Sequence, residues 1–118
     1  MAVTIFHNPR CSKSRQTLQL ISDSGTAHTV VLYLKDPPNA AAIVDLAGKL
    51  DISVAQLLRR GESDFKEAND LPDLADDARL ASWLAAHPIA LQRPIVINYE
   101  SGKAVIGRPP ENVLALVS

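Results

Sequence analysis

Val3-Thr4-Ile5-Phe6-His7-Asn8-Pro9-Arg10-Cys11-Ser12-Lys13-Ser14-Arg15 is the stretch on which the fold turns. Its first four residues are β-branched or aromatic and predict a strand, which Asn8-Pro9 stops. Beyond Cys11, Leu18 and Ile21, with Thr17 and Leu20 beside them, predict a helix starting at about Ser12, and Gly25 is placed to end it. His28 to Leu34 reads as a second strand. It is nearly continuous in apolar residues and is therefore expected to be buried on both faces. Strand, helix and strand in succession make a β-α-β unit with a parallel pair.

Working outward, Asp36-Pro37-Pro38-Asn39 is a turn, and Asn39 is the expected N-cap of a helix whose inner face carries Ile43, Leu46, Ala47 and Leu50. Ser53 and Gln56 have capping-box spacing ahead of Leu57-Leu58, so a short helix is expected to end near Arg59-Arg60-Gly61. Another helix is expected from about Asp76 to His87, with Leu80, Trp83, Leu84 and His87 on one face and Pro88 as its stop. Pro94-Ile95-Val96-Ile97-Asn98 and Ala104-Val105-Ile106, separated by a segment with Ser101-Gly102, predict a β-hairpin. Pro109-Pro110-Glu111 opens a final helix expected to pack Val113, Leu114 and Val117 inward. The order β-α-β, helices, β-β-α defines an α/β fold with a mixed sheet in the thioredoxin/glutaredoxin-like arrangement. A single domain over residues 1–118 is expected, with a helical insertion at about 39–88.

At 118 residues the chain has the commonest size of one domain, and 47% hydrophobic against 21% charged residues suits a packed core rather than disorder. A formal charge of -1 offers no basic surface for nucleic acid. Residues 61–80 hold seven Asp/Glu against two Lys/Arg and include the loop signal Asn69-Asp70-Leu71-Pro72, so this segment reads as a solvated connection between helices. No apolar run approaches the roughly 20 residues of a membrane span, and the first residues do not form a signal peptide. A cytoplasmic protein without a membrane partner is expected. The lone cysteine, Cys11, excludes an internal disulfide framework and any multi-cysteine metal site, and no metal is expected.

Cys11 is either an inert core thiol or a nucleophile. A core cysteine would sit inside an apolar run, whereas this one lies between Arg10 and Ser12. The start of a helix presents unpaired N–H groups and the positive end of its dipole, and Arg10, Lys13 and Arg15 lie within four residues. These features favour the thiolate and a lowered pKa. In Cys11-Ser12-Lys13-Ser14 no second cysteine follows, so any disulfide needs an external thiol. Arg59, Arg93 and Arg108 each stand at the end of an element. Singly, each reads as a solvated charge or a helix cap. If gathered at the thiol, their planar forks would match a tetrahedral oxyanion.

With these residues in view, the sequence resembles the glutaredoxin-dependent arsenate reductase family, of thioredoxin-like fold, and specifically a short branch of it. The resemblance rests on Phe6-His7-Asn8-Pro9-Arg10-Cys11-Ser12-Lys13-Ser14-Arg15, Ile52-Ser53-Val54 to Leu57-Leu58-Arg59, His87-Pro88-Ile89 to Arg93-Pro94-Ile95-Val96, and Gly107-Arg108-Pro109. It implies Cys11 as the nucleophile and Arg59, Arg93 and Arg108 as holders of arsenate or a similar oxyanion. It implies His7, Asn8 and Ser14 as groups behind the thiolate that tune it, and a cis Arg93–Pro94 bond. No bound cofactor is implied; glutathione is the co-substrate and glutaredoxin the partner that clears the resulting mixed disulfide. The residues alone leave His7 equally open to a purely structural role at the strand end, and they do not separate Arg59 from Arg60. His28, His87 and Trp83 read as structural. Two other functions stay open: a glutathione-linked thiol oxidoreductase acting on another substrate, and a non-enzymatic redox-regulatory binding protein.

Overall fold

The computed structural model describes residues 2–117. The chain forms two compact units, one from the residues up to Asp36 together with those from Arg93 onward, the other from Pro37–Gln92.

The first unit is a four-stranded sheet. It comprises β1 (Ala2–His7), α1 (Ser12–Asp23), β2 (Ala27–Leu32), β3 (Ile95–Asn98) and β4 (Lys103–Ile106), followed by a 3₁₀ segment at Pro110–Ala115. The strand order is β2-β1-β3-β4. β1 and β2 run parallel in the register His7↔Leu32, whereas β3 is antiparallel to both β1 (Phe6↔Ile95) and β4 (Ile95↔Ile106). The carboxyl ends of β1, β2 and β4 and the start of β3 therefore share one end of the sheet. The order and pairing are those of a thioredoxin/glutaredoxin-like α/β fold. Below that end, Val3, Ile5 and Val96 from the sheet, Ile21 from α1, and Val113, Leu116 and Val117 from the last segment form one buried cluster. Gly25 takes a left-handed φ of +74° just past the end of α1, a conformation that glycine adopts without strain.

Two expectations in this unit are corrected. β2 is shorter than predicted, and its side chains are exposed along most of its length, with Val30 41% exposed. It lies at the sheet edge, which an apolar sequence cannot reveal. It stops at Leu32 because the N–H groups of Lys35 and Asp36 both donate to the Leu32 carbonyl, at 2.9 Å each, and turn the chain. The last helix is a 3₁₀ segment, and Leu114 faces solvent while Val113 packs inward. Side chains three apart eclipse in 3₁₀ geometry, so the apolar face is narrower than an α-helix would give.

The second unit is helical. α2 (Ala40–Leu50) starts at Asn39, whose side chain accepts from Ala42 N–H at 2.8 Å, and buries Ile43, Leu46 and Ala47. A 3₁₀ turn at Val54–Leu57 carries the expected Ser53/Gln56 capping box. It ends before Arg59 because Leu58 turns extended to bridge Leu91, with Arg59 N–H donating to Ala90 O at 2.6 Å. α3 (Ser63–Lys66), a single turn in the acidic stretch, was not foreseen. α4 (Asp77–Ala86) begins at Asp76, which accepts from Arg79 N–H at 3.1 Å, and buries Leu80, Trp83 and Leu84. The acidic stretch is not simply solvated. Trp83 Nε1 donates to Asp70 at 3.1 Å, and His87 stacks on Trp83 while its Nδ1 lies 3.0 Å from Asp64.

Candidate active site

Cys11 is the N-cap residue of α1, with extended φ and ψ of -91° and 121°, and is half-buried. The preceding loop is held by its own atoms. Asn8 O accepts from Cys11 N–H at 3.0 Å, while Asn8 Oδ1 accepts from Arg10 N–H at 3.0 Å. This turn delivers the sulfur to the open end of α1. Burial pushes the thiol pKa up, but it is outweighed. The Ser14 N–H, a hydrogen bond from the Arg93 side chain, the Lys13 N–H and the charge of Arg93 together hold it below the usual thiol range. The N–H contacts lack the geometry of an ordinary side-chain cap and act on the sulfur as fixed dipoles.

Arg93 lies one residue before Pro94, which leads into β3, and Arg108 lies just past β4, so both arrive at the sheet end where the chain leaves β1 toward Cys11. Arg108 Nη2 lies 3.8 Å from Cys11 Sγ, and its Nε donates to the Arg93 carbonyl at 2.9 Å. The Arg93–Pro94 bond is cis, and so is Arg108–Pro109, which the sequence reading did not foresee.

Behind the sulfur, His7 and Asn8 are buried and Ser14 is fully enclosed. His7 Nδ1 lies 2.6 Å from Ser14 Oγ, which also accepts from Asn8 N–H at 3.1 Å. Burial, and then the nearby charge of Arg15, push the His7 pKa down, so its ring is neutral at pH 7. Of the residues singled out from sequence, His7, Asn8, Cys11, Ser14, Arg93 and Arg108 meet at this one end.

Arg59 belongs to the other unit, where its Nη1 lies 3.5 Å from Glu62. Burial separates it from its neighbour, since Arg59 is half-buried and Arg60 exposed. Three supporting residues escaped the sequence reading. A Cβ on Gly107 would stand 2.5 Å from Thr17 Oγ1 and 2.8 Å from Pro94 Cγ, so only glycine lets this strand end approach α1. Thr17 is fully buried and donates to Lys13 O at 2.8 Å. Asn112 Nδ2 ties down the carbonyls of Ile106 and Arg108 at 3.1 and 3.2 Å. Gly107 beside Arg108 was the available signal, and its partner lies 90 residues away.

A thiol without a second cysteine, set where the first strand of a thioredoxin-like sheet meets its helix, marks a class of single-thiol proteins of that fold. Residues 6–116 match the ArsC family, and the chain belongs to it. An arsenate reductase of Neisseria meningitidis serogroup B is 44% identical over 117 residues, covering 98% of this chain and 97% of the relative. The uncharacterized protein YfgD of Escherichia coli K12 is 44% identical over 116 residues, covering 98% and 96%. Among solved structures, an arsenate reductase from Vibrio cholerae, 39% identical, matches with a TM-score of 0.89 over 99% of this chain and 98% of its own. Among the described residues, no helix is long and apolar enough to cross a membrane, and no group of three or more His, Cys, Asp or Glu is placed to hold a metal ion.

Proposed function

We propose that this chain is a cytoplasmic arsenate reductase, with Cys11 as nucleophile and with glutathione and glutaredoxin supplying the other thiols. The observation that carries the reading is the approach of Arg93 and Arg108 to the Cys11 sulfur. A thiolate repels an oxyanion, and two guanidinium groups at the sulfur remove that repulsion and offer paired donors to its oxygens. The family resemblance adds Arg59 as a third holder of the oxyanion. In this reading residues 1–118 work as one domain, with 39–88 as the insertion that supplies Arg59.

The reaction follows from one thiol. Cys11 thiolate attacks the arsenic of arsenate, an S–As bond forms, and one oxygen leaves as water after protonation. Glutathione thiolate then attacks the Cys11 sulfur. An S–S bond forms, the S–As electron pair stays on arsenic, and trivalent arsenite leaves. Cys11 is left as a mixed disulfide with glutathione, which a glutaredoxin thiol removes. His7, Asn8 and Ser14 hold the loop that aims the sulfur, and a neutral His7 adds no positive charge there. The test is arsenate-dependent NADPH oxidation coupled through glutathione, glutathione reductase and glutaredoxin. Turnover is expected from the native chain, and a rate no greater than that of Cys11→Ser removes this function.

A further inference from the structure

The sheet end that carries Cys11 also carries a concavity. A cleft of about 430 Å³ opens between the ends of β1 and β2, within the size range of small-molecule sites. One wall is the chain from His7 to Arg10, and the other is Leu32, Leu34 and Lys35. Pro9, Leu32 and Leu34 supply apolar surface, while Arg10 and Lys35 supply positive charge. Among the described residues neither cation is held in an ion pair. Arg15, whose Nη1 donates to Pro9 O at 2.9 Å, brings a third cation to the same loop. The strand order puts Arg93 and Arg108 toward β3 and β4, and the cleft on the β2 side of β1. Arg10 on the cleft wall is the residue before Cys11, so the cleft reaches to within one residue of the thiol along the chain, on the other side of β1 from the two arginines.

We infer that this cleft is the docking site of the thiol co-substrate, glutathione, an assignment that rests on the proposed reaction and gives its second step a place. A small peptide with two carboxylates meets Arg10 and Lys35 through those groups and covers Leu32 and Leu34 with its stem. Its sulfur is left free to reach Cys11. The same cleft serves the arsenate-free reaction with oxidised glutathione. There Cys11 thiolate attacks one sulfur of the disulfide, one glutathione thiolate leaves, and the same mixed disulfide remains on Cys11.

That arsenate-free reaction makes the test independent of the oxyanion. Second-order rate constants for modification of Cys11 are measured by mass spectrometry with oxidised glutathione, which is anionic, and with cystamine, which is cationic. Lys35→Glu is expected to lower the glutathione-to-cystamine ratio by about tenfold or more, the scale of reversing one charge at a docking contact. Leu34→Asp, which adds a carboxylate to the cleft and leaves both cations in place, must shift the ratio in the same direction. Lys103→Glu, at the start of β4 and the opposite end of the sheet, carries the same change in net charge and is expected to shift the ratio less than about twofold because of ionic screening. Ratios within about threefold of the native value for both cleft variants overturn the assignment, as does an equal shift from Lys103→Glu. A native chain that keeps its charge preference but fails to turn over arsenate overturns the arsenate reading and leaves the cleft standing. Arsenate turnover with an insensitive ratio does the reverse.

Discussion

β2 and β3 flank the same strand and are written in similar apolar residues, yet they live in different environments. Every residue of β3 is buried, whereas β2 is exposed from Ala27 to Val30. β3 lies between β1 and β4, and among the described residues β2 has β1 alone for a neighbour. Burial here is a property of strand order. The chemistry divides along the same line. The β3–β4 side brings two guanidinium groups to Cys11, and the β2 side leaves an open cleft along the loop that precedes it.

The comparison is broken most severely by removing core volume from β3. Ile97 is fully buried, and Ile97→Ala is expected to cost about 2–5 kcal/mol in urea denaturation, the range for large-to-small core changes. A cost near that of a surface change would show that β3 is not an interior strand in solution.

The next effect belongs to the arginine that enters β3. Arg93→Ala is expected to lower kcat/KM for arsenate about a hundredfold, the cost of one donor aimed at developing charge. It also removes a cation that stabilises the thiolate. The native thiol ionises below the usual range, so its alkylation by iodoacetamide should reach the plateau at correspondingly low pH. Without Arg93 the rising limb must move to higher pH. A limb that stays in place would assign the low pKa to the groups that remain, the helix start and Arg108. Gly107→Ala follows, at about 1–3 kcal/mol for an overpacked contact, because Thr17 and Pro94 occupy the space of the new Cβ. Adding Thr17→Ala should recover part of the loss in a double-mutant cycle. Full additivity would contradict the close approach of Gly107 to α1.

What the sequence made legible was local. Asn39 and the Ser53/Gln56 pair cap their elements as read, and the helix expected from about Asp76 starts there, because a helix start is settled within three or four residues. The Cys11 loop was legible for the same reason, since its cations, its turn and its helix start are contiguous. Distance along the chain hid the rest. Thr17 against Gly107 and the seating of Arg108 on the Arg93 carbonyl join segments that no short window contains. The exposure of β2 depends on which strand pairs with which, and an apolar run carries no record of that. The tie of Asp64 and Asp70 to His87 and Trp83 was lost because an acidic run reads as solvated when its partners lie beyond the window.

The smallest expected effect tests the edge itself. Val30 pairs with Ile5 on β1 but keeps 41% of its surface in water, so Val30→Thr removes little buried apolar area and keeps the β-branched shape that a strand favours. A change within about 0.5 kcal/mol in urea denaturation is expected, as for surface positions generally. A bare edge strand also offers unpaired N–H and C=O groups to another chain. If a second copy covered β2 in solution, Val30 would be buried in the assembly, and the hydroxyl would cost well over 1 kcal/mol by losing its water. The loss would then grow as protein is diluted less, because the assembly contributes to stability by mass action. Measuring Val30→Thr at two concentrations a hundredfold apart therefore separates an open edge, with one small and constant cost, from an occupied one.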